Sequence, residues 1–146
     1  MIEATWNTDL RSVFGSLLRR VTNKQLMARL GALAKLRIAA RLSRGVDIEG
    51  RTFTPYGEAW RGKRREKGRQ ASTVDLNWSG RMWAALQQTT ENDSVQLFFT
   101  GEAAARAHGH QFGHRPGGLP QREFFGVNDE DEDALGDEVV KALRRG

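Results

Sequence analysis

The 146-residue sequence contains no cysteine, and none of its apolar runs approaches the ~18–20 residues that cross a bilayer. Without cysteine the chain has no disulfide framework, no thiolate nucleophile and no cysteine-ligated zinc. Residues 1–9 also lack the cationic start and apolar stretch of a signal peptide. We therefore expect a protein without a membrane partner, made in the cytoplasm, that stays there or enters a particle assembled there.

Apolar residues are scarce as well, at 38% of the chain against ~45–50% in compact domains. The length fits a single domain. Within it we distinguish a helical region at 1–46, a loop arm with a basic run at 47–75, and an α+β core with a carboxy-terminal helix at 76–146. A modest core suits an assembly component whose neighbours complete the burial, although a loosely packed monomer also fits.

Charge is divided unevenly along the chain. Residues 1–90 carry 17 Lys and Arg against 7 Asp and Glu, a net charge of +10, whereas residues 91–146 carry 6 against 11, a net charge of −5. The basic half could attract nucleic acid. The same polarity could equally pair unlike faces of neighbouring copies head to tail, which is how rings close. Charge alone favours neither alternative.

Patterns of catalytic residues are nearly absent. Neither Ser72 nor Ser79 has the sequence context of a nucleophile elbow, and Glu58 and Asp75 would meet as an acid–base pair only by accident of folding. The acidic run 129–133 lacks the glycine and distal glutamate of a calcium loop and is typical of a helix amino terminus. We expect a protein that is not an enzyme and that binds no cofactor.

Hydrophobic periodicity predicts two helices near the amino terminus. Residues 8–20 have the apolar spacing of a short amphipathic helix. A longer apolar stripe predicts a second helix over about 24–42. Thr22 and Gln25 would form its capping box, and Gly45 is a suitable stop residue.

Glycine and proline interrupt any periodicity between residues 47 and 70, which predicts an irregular loop around the aromatic anchors Phe53 and Trp60. Three interpretations of its basic run stay open. It could be a solvated flexible loop, a phosphate-neutralising arm with Trp60 able to stack, or a clasp on the acidic 129–138 region of a neighbouring copy. The cations of the run are Arg61, Lys63, Arg64, Arg65, Lys67 and Arg69.

The second half of the chain predicts a small antiparallel sheet. Residues 94–100 form the clearest strand, and we expect a hairpin that pairs them with 82–90 across a turn at 91–93. With the long helix, this hairpin indicates an α+β fold: a small, mostly antiparallel sheet packed by a long amino-terminal helix and a carboxy-terminal helix, with a long basic loop. The remaining predicted segments are a short helix over 102–108, a loop over 109–120, a short strand over 122–127, and a helix from Asn128 or Asp129 to about Arg145.

Three histidines, His108, His110 and His114, fall within seven residues, and we considered a metal site. Zinc needs three or four converging ligands on rigid elements, whereas this segment is rich in glycine and lacks cysteine. We favour a structural interpretation without metal, in which the His110 and Gln111 side chains fasten a loop to the sheet and Gly113 permits an unusual backbone shape.

Four short motifs occur in order: Gly57-x-x-Trp60, Ser79-Gly80-Arg81-Met82, His110-Gln111-x-Gly113, and Arg122-x-Phe124-Phe125-Gly126. Together they resemble the virion morphogenesis (tail completion) family of tailed bacteriophages, with matching order and spacing over roughly residues 48–140. Met82 stands where leucine is commoner, and the segment before His110 lacks a tyrosine–alanine pair. The residues carrying the resemblance are Trp60, Gly80, Met82, His110, Gln111, Gly113, Arg122, Phe125 and Gly126.

The resemblance implies an α+β fold and a structural role in the virion, at the neck or the head-proximal end of the tail. Copies would form a homo-oligomeric ring, six by analogy with tail symmetry, that completes the tail or joins it to the head connector. Its partners would be neighbouring neck and tail proteins, with possible contact to passing DNA. The alternative from a different class is an accessory protein that binds nucleic acid through its basic amino-terminal half.

Overall fold

The computed structural model describes residues 3–4 and 22–145, so the predicted helix at 8–20 lies outside the described residues. The predicted α+β class is confirmed. In chain order the elements are β1 (Glu3–Ala4), α1 (Lys24–Arg44), α2 (Glu58–Glu66), α3 (Arg81–Ala84), β2 (Leu86–Thr90), β3 (Val95–Phe99), α4 (Gly101–Phe112), a 3-10 turn (Arg115–Gly117) and α5 (Asp129–Arg145).

The long helix α1 is capped at both ends. Its amino-terminal cap is Asn23, whose side-chain oxygen accepts a hydrogen bond from the Leu26 N–H at 2.9 Å. The predicted capping box, with Thr22 as the cap, is therefore wrong by one residue. Asparagine is itself a strong amino-terminal cap, and Asn23 takes this position. Gly45 ends the helix as predicted, at a φ of 69° that glycine adopts without steric cost.

The sheet has three antiparallel strands in the order β1-β3-β2. β2 and β3 form the predicted hairpin, with Leu86 opposite Phe99 at one end. The turn closes with a hydrogen bond of 2.9 Å from the Glu91 N–H to the Ser94 carbonyl. Strand β2, the first strand of the hairpin, begins later than predicted because Arg81–Ala84 form a helical turn before it.

Phe99 lies at the centre of the core and is fully buried. Its ring centre is 6.1 Å from that of Phe124 and 5.1 Å from that of Phe125, so the segment after α4 packs directly on the sheet. The carboxy-terminal half of α1 covers this cluster, while its amino-terminal half packs against Leu135 and Val139 of α5. Helix α1 therefore links two apolar clusters.

The prediction of an irregular loop at 47–70 is wrong for most of the basic run. Residues Glu58–Glu66 form α2, and Arg64 within it is only 2% exposed. Arginine, lysine and glutamate are good helix formers, and a buried anchor fixes the helix to the rest of the chain. Most of the run therefore lies in a helix, with Arg64 in the interior and Lys63 and Arg65 exposed.

Two further expectations are wrong. The predicted loop at 109–120 begins only after Phe112, because α4 is 12 residues long and includes His110 and Gln111. The predicted strand at 122–127 does not form. The N–H groups of Phe124 and Phe125 bond to the Gln111 side chain instead of a neighbouring strand.

Helix α5 begins where the acidic run predicts it. The Asn128 side-chain oxygen accepts from the Asp131 N–H at 2.9 Å, and the Asp131 carboxylate accepts from the Asn128 N–H at 3.2 Å. The same carboxylate, 2% exposed, accepts hydrogen bonds from Arg37 and Arg41 of α1. Arg41 also donates to the Gly126 carbonyl. One buried carboxylate thus joins α5 to α1, and through Arg41 to the segment that precedes α5.

Replacing Asp131 with alanine should destabilise the protein by about 3–5 kcal/mol, because the buried Arg41 guanidinium would lose its counter-charge. Asp133→Ala, at an exposed position of the same helical turn, is the matched control and should cost less than ~1 kcal/mol. Urea unfolding followed by circular dichroism measures both. Equal losses from the two substitutions would contradict the role of this ion pair.

Candidate functional site

Arg64 is a buried guanidinium whose hydrogen bonds are made within the chain. Its Nε donates to the Gln70 carbonyl at 2.6 Å, and its Nη1 donates to the Asn77 carbonyl at 3.0 Å. Its Nη2 lies 3.1 Å from the Asp75 carboxylate. The expectation that Arg64 faces DNA or another subunit is therefore wrong. Arg64 ties α2 to residues 70–77.

Tyr56 connects this network to Arg122. Its hydroxyl donates to the Asp75 carboxylate at 3.2 Å and accepts from the Leu76 N–H at 3.1 Å. The guanidinium carbons of Arg64 and Arg122 lie 4.7 and 5.5 Å from its ring centre. Burial and then the charge of Asp75 raise the pKa of Tyr56, so that its hydroxyl stays protonated. Arg122, itself buried, donates to the carbonyl of Thr54 at 3.0 Å.

Leu76 has a φ of 52°, in the left-handed region that disfavours residues with a side chain. Such a conformation costs ~1–2 kcal/mol and persists only where the surroundings enforce it. Here the Tyr56 hydroxyl accepts from the Leu76 N–H, and Arg64 donates to the carbonyl of the following residue, Asn77. The network therefore fixes the backbone shape that leads into Trp78.

Trp60 and Trp78 form a partly exposed aromatic pair beside α2. Their ring centres are 4.8 Å apart and the side chains are 37% and 36% exposed. The Arg69 guanidinium lies 5.2 Å from the centre of the Trp78 ring, within cation–π distance. This surface combines aromatic rings with exposed positive charge, and its other exposed cations are Lys63, Arg65 and Lys67.

Two clefts adjoin the aromatic pair. The larger, about 530 Å³, lies between the carboxy-terminal end of α1, residues 70–83 and α4. The smaller, about 310 Å³, lies between Trp60 and residues 117–122. Leu76, Trp78 and His110 line both. Residues of all four family-like motifs thus line these two clefts, which the sequence analysis did not predict.

Gln111 fastens the segment after α4. Its side-chain oxygen accepts from the N–H groups of Phe124 and Phe125 at 3.1 and 3.0 Å, and its side-chain nitrogen donates to the Phe125 carbonyl at 3.2 Å. Gly113 follows with a φ of 76°, and a Cβ there would come within 3.1 Å of the Gln121 nitrogen. Gly113 adopts the unusual backbone shape predicted from the sequence, whereas Gln111 anchors residues 124–125 to α4 and not a loop to the sheet.

His110 differs from its predicted role. Its Nδ1 is buried without a hydrogen-bond partner, and only its backbone carbonyl takes part in the anchoring, by accepting from the Arg122 N–H. Burial and then the positive charge of Arg122 lower the pKa of His110 to about 4. The His108 ring instead contacts Phe112, at 4.7 Å. In the described part of the chain, no three His, Asp or Glu side chains come together in a way that could hold a metal ion.

The other motif residues shape turns and core contacts. Gly80 has a φ of 77° and precedes α3, whose Met82 is buried. Gly126 contributes the carbonyl bonded to Arg41, and a Cβ on it would meet the Ile48 side chain at 2.5 Å. Gly80 and Met82 therefore shape the larger cleft, whereas Gly126 connects the segment before α5 to α1.

Sequence reasoning missed the buried polar network. Tyr56 and Asp75 stand in irregular segments, and nothing in their spacing indicates that they meet Arg64. The one available signal was that Arg64 lies four positions after Trp60 and three after Arg61 in a run of helix formers. The sequence also gave no sign that Asp131, one of five consecutive acids, is the buried one.

None of the helices in the described ranges is long and apolar enough to span a membrane. The chain belongs to the phage virion morphogenesis family, whose profile matches residues 6–144. Family membership associates the chain with the assembly of phage virions. No curated protein and no solved structure matches it.

Gln111→Leu should destabilise the protein by ~1–3 kcal/mol for each backbone group left buried and unpaired at Phe124 and Phe125. Gln121→Leu is the matched control, because the exposed Gln121 side chain bonds only to Glu123. Thermal or urea unfolding of both variants gives the difference. A Gln111 variant as stable as the control would contradict the anchoring role.

His110 should make the protein less stable at acid pH. Its pKa is about 4 in the folded chain and ~6.5 in the unfolded chain, so the unfolded chain binds the proton first as the pH falls. Stability is then lost between pH ~6.5 and 4, by up to about 2 kcal/mol at pH 5 relative to pH 7. His110→Leu should flatten this dependence, whereas His108→Leu, at an exposed position, should retain it. Parallel pH profiles for the two variants would refute the assignment.

Proposed function

We propose that this chain is a structural virion protein of the phage neck or head-proximal tail. Six copies form a ring that completes the tail or joins it to the head connector. The protein acts by geometry, symmetry and charge, and it makes or breaks no covalent bond. Family membership supports the virion role, and one feature of the surface supports the ring.

The feature that carries the proposal is the separation of opposite charges onto two helices. Exposed cations cluster on and just after α2, which Arg64 fixes to residues 70–77. Exposed acids cluster at the start of α5, which Asp131 fixes to α1. The acids are Asp129, Glu130, Glu132 and Asp133.

These two charged surfaces do not neutralise each other within one chain. Across the described residues, the ion pairs of α2 are made with Glu58 and Asp75, and none reaches α5. Unlike surfaces at different places on a molecule favour heterologous contacts, which repeat head to tail and close when the rotation permits. In a closed ring every copy uses both surfaces, so we take the ring as the assembly that these surfaces support.

Binding of nucleic acid is the second candidate, because the exposed Trp60–Trp78 pair lies beside the α2 cations. A protein that binds through phosphates loses affinity steeply between ~50 and 200 mM salt. Titration of double- and single-stranded oligonucleotides at several salt concentrations measures this. Tight, salt-dependent binding by a chain that stays monomeric would favour the second candidate over the ring.

The ring predicts a specific pattern for charge reversal. The triple substitution Lys63→Glu, Arg65→Glu, Lys67→Glu should abolish association, as should Asp129→Lys, Glu130→Lys, Asp133→Lys, because each variant places like charges across every junction. Mixing the two variants should restore a ring in which they alternate, since every junction then joins unlike charges. Native mass spectrometry at low salt distinguishes these species.

Arg144→Glu with Arg145→Glu is the matched control, since both are exposed cations at the far end of α5. This double variant should assemble like the wild type. If it dissociates as readily as the α2 variant, net charge controls association and the α2–α5 contact is refuted. Two reversed variants that stay monomeric when mixed would also count against that contact.

A further inference from the structure

Three arginine side chains are buried in the described part of the chain, and one of them has no counter-charge. Arg41 is paired with Asp131, and Arg64 is paired with Asp75. Arg122 is 4% exposed and forms no ion pair with the residues that the structure describes. Buried charges in proteins are normally paired, because an uncompensated charge in the interior is costly. Arg122 therefore departs from the pattern that the other two buried arginines follow.

The contacts of Arg122 within the chain are with neutral groups. Its Nε and Nη2 donate to the Thr54 carbonyl at 3.2 and 3.0 Å, and Nη2 lies 3.4 Å from the Pro55 carbonyl. Burial lowers the pKa of Arg122, and no carboxylate opposes this effect. A guanidinium has five N–H donors, and the Nη1 of Arg122 donates to none of the described residues. Arg122 thus retains both an uncompensated charge and donors for an anion.

Arg122 lies in the wall of the smaller cleft, whose volume is about 310 Å³. None of the described aspartates and glutamates lines this cleft. Its polar lining also includes His110, whose Nδ1 is buried without a hydrogen-bond partner. Trp60, Trp78 and Leu119 supply apolar surface. The volume is at the lower end of the ~300–1,000 Å³ range of ligand pockets, and the lining favours an anion on an apolar stem.

The burial of Arg122 favours a carboxylate on a side chain over a phosphate of a nucleic-acid backbone. The fork of an arginine matches both groups in hydrogen-bond geometry. Because only 4% of Arg122 is exposed, however, an anion must enter the cleft to reach it. A carboxylate at the end of a side chain can do so. The phosphates of a duplex are held along a wide backbone and would instead meet the exposed cations of α2.

Carboxylates without a counter-charge are concentrated at the start of α5. Some exposed acids form an ion pair with a nearby cation of the same chain, and these include Glu49, Glu58 and Glu102. Among the described residues, Glu66 and Glu91 form none but stand singly in the sequence. At the start of α5, in contrast, three exposed acids within five positions form no ion pair: Asp129, Glu132 and Asp133. The chain therefore has a buried cation that lacks an anion and a group of acids that lack cations.

We propose that a carboxylate from the acidic start of α5 in one copy enters the smaller cleft of the next copy and pairs with Arg122. This inference rests on the proposed ring, and it names the buried part of the α2–α5 junction, since Trp60 and Arg64 of α2 line the same cleft. Within one chain Asp131 fixes the start of α5 to α1, and none of its acids pairs with Arg122. The contact must therefore join two chains.

Arg122→Gln tests the site, because it removes the charge and keeps an amide that can donate to the Thr54 carbonyl. It should weaken association about 30-fold or more, since losing one partner of a buried charge pair is costly. Arg106→Gln is the matched control, since it removes the same charge from an exposed side chain that pairs with Glu102 of its own helix. It should change association by less than about fivefold. Sedimentation velocity at low salt over a range of protein concentrations measures both.

Substitutions on the acidic side identify the carboxylate and do not alter a buried residue. One of four single variants should weaken association as Arg122→Gln does, and combining it with Arg122→Gln should add nothing further, because two residues in one contact are not additive. The other three should be additive with Arg122→Gln. Additivity at all four positions would overturn the contact and leave the ring intact. The four variants are Asp129→Asn, Glu130→Gln, Glu132→Gln and Asp133→Asn.

Two further outcomes separate this contact from its rivals. Arg122→Gln should bind single- and double-stranded oligonucleotides as the wild type does. A loss of oligonucleotide affinity would assign Arg122 to a phosphate and overturn the carboxylate. A wild-type chain that stays monomeric at every concentration refutes the ring and this contact with it. A wild type that assembles, together with an Arg122→Gln variant that assembles equally well, refutes the contact alone.

Discussion

The buried ion pair between Asp131 and Arg41 fixes the acidic helix to the rest of the molecule. The carboxylate caps α5 through Asn128 and pairs with two arginines of α1, one of which also holds the Gly126 carbonyl. A buried pair of this kind contributes little net stability over apolar packing, but losing one partner is costly. Its effect is therefore to specify one position for α5, which leaves the other acids of the run facing solvent.

The basic run follows the same arrangement with the sign reversed. Arg64 is buried and bonded to Asp75 and two carbonyls, while four cations of the run stay exposed: Lys63, Arg65, Lys67 and Arg69. In each charged run one residue is therefore buried, Arg64 or Asp131, and most of the other charged side chains lie on the surface of a helix that the buried residue holds in place. Fixed charge of this kind can define a contact between copies, whereas a mobile loop would lose entropy on every contact.

Local patterns predicted the parts of the fold that local physics determines. The apolar stripe over 24–42 predicted α1, the β-branched and aromatic run over 94–100 predicted the hairpin, and the acidic run at 129–133 predicted the start of α5. The pairing of Arg64 with Asp75 and Tyr56 could not be predicted, since the partners come from irregular segments with no periodicity. The His-Gln motif indicated the right place and predicted anchoring by both side chains, of which only Gln111 forms the bonds. Either residue can donate and accept, and only the three-dimensional structure shows that Gln111 makes the bonds.

The central claim is that copies of this chain join head to tail and close into a ring. The mass of the purified wild-type protein, measured by native mass spectrometry at low salt over a wide range of protein concentration, tests it most directly. We predict a single closed species of six chains whose mass does not change with concentration. A monomer throughout, or a ladder of oligomers that lengthens as the concentration rises, would contradict closure.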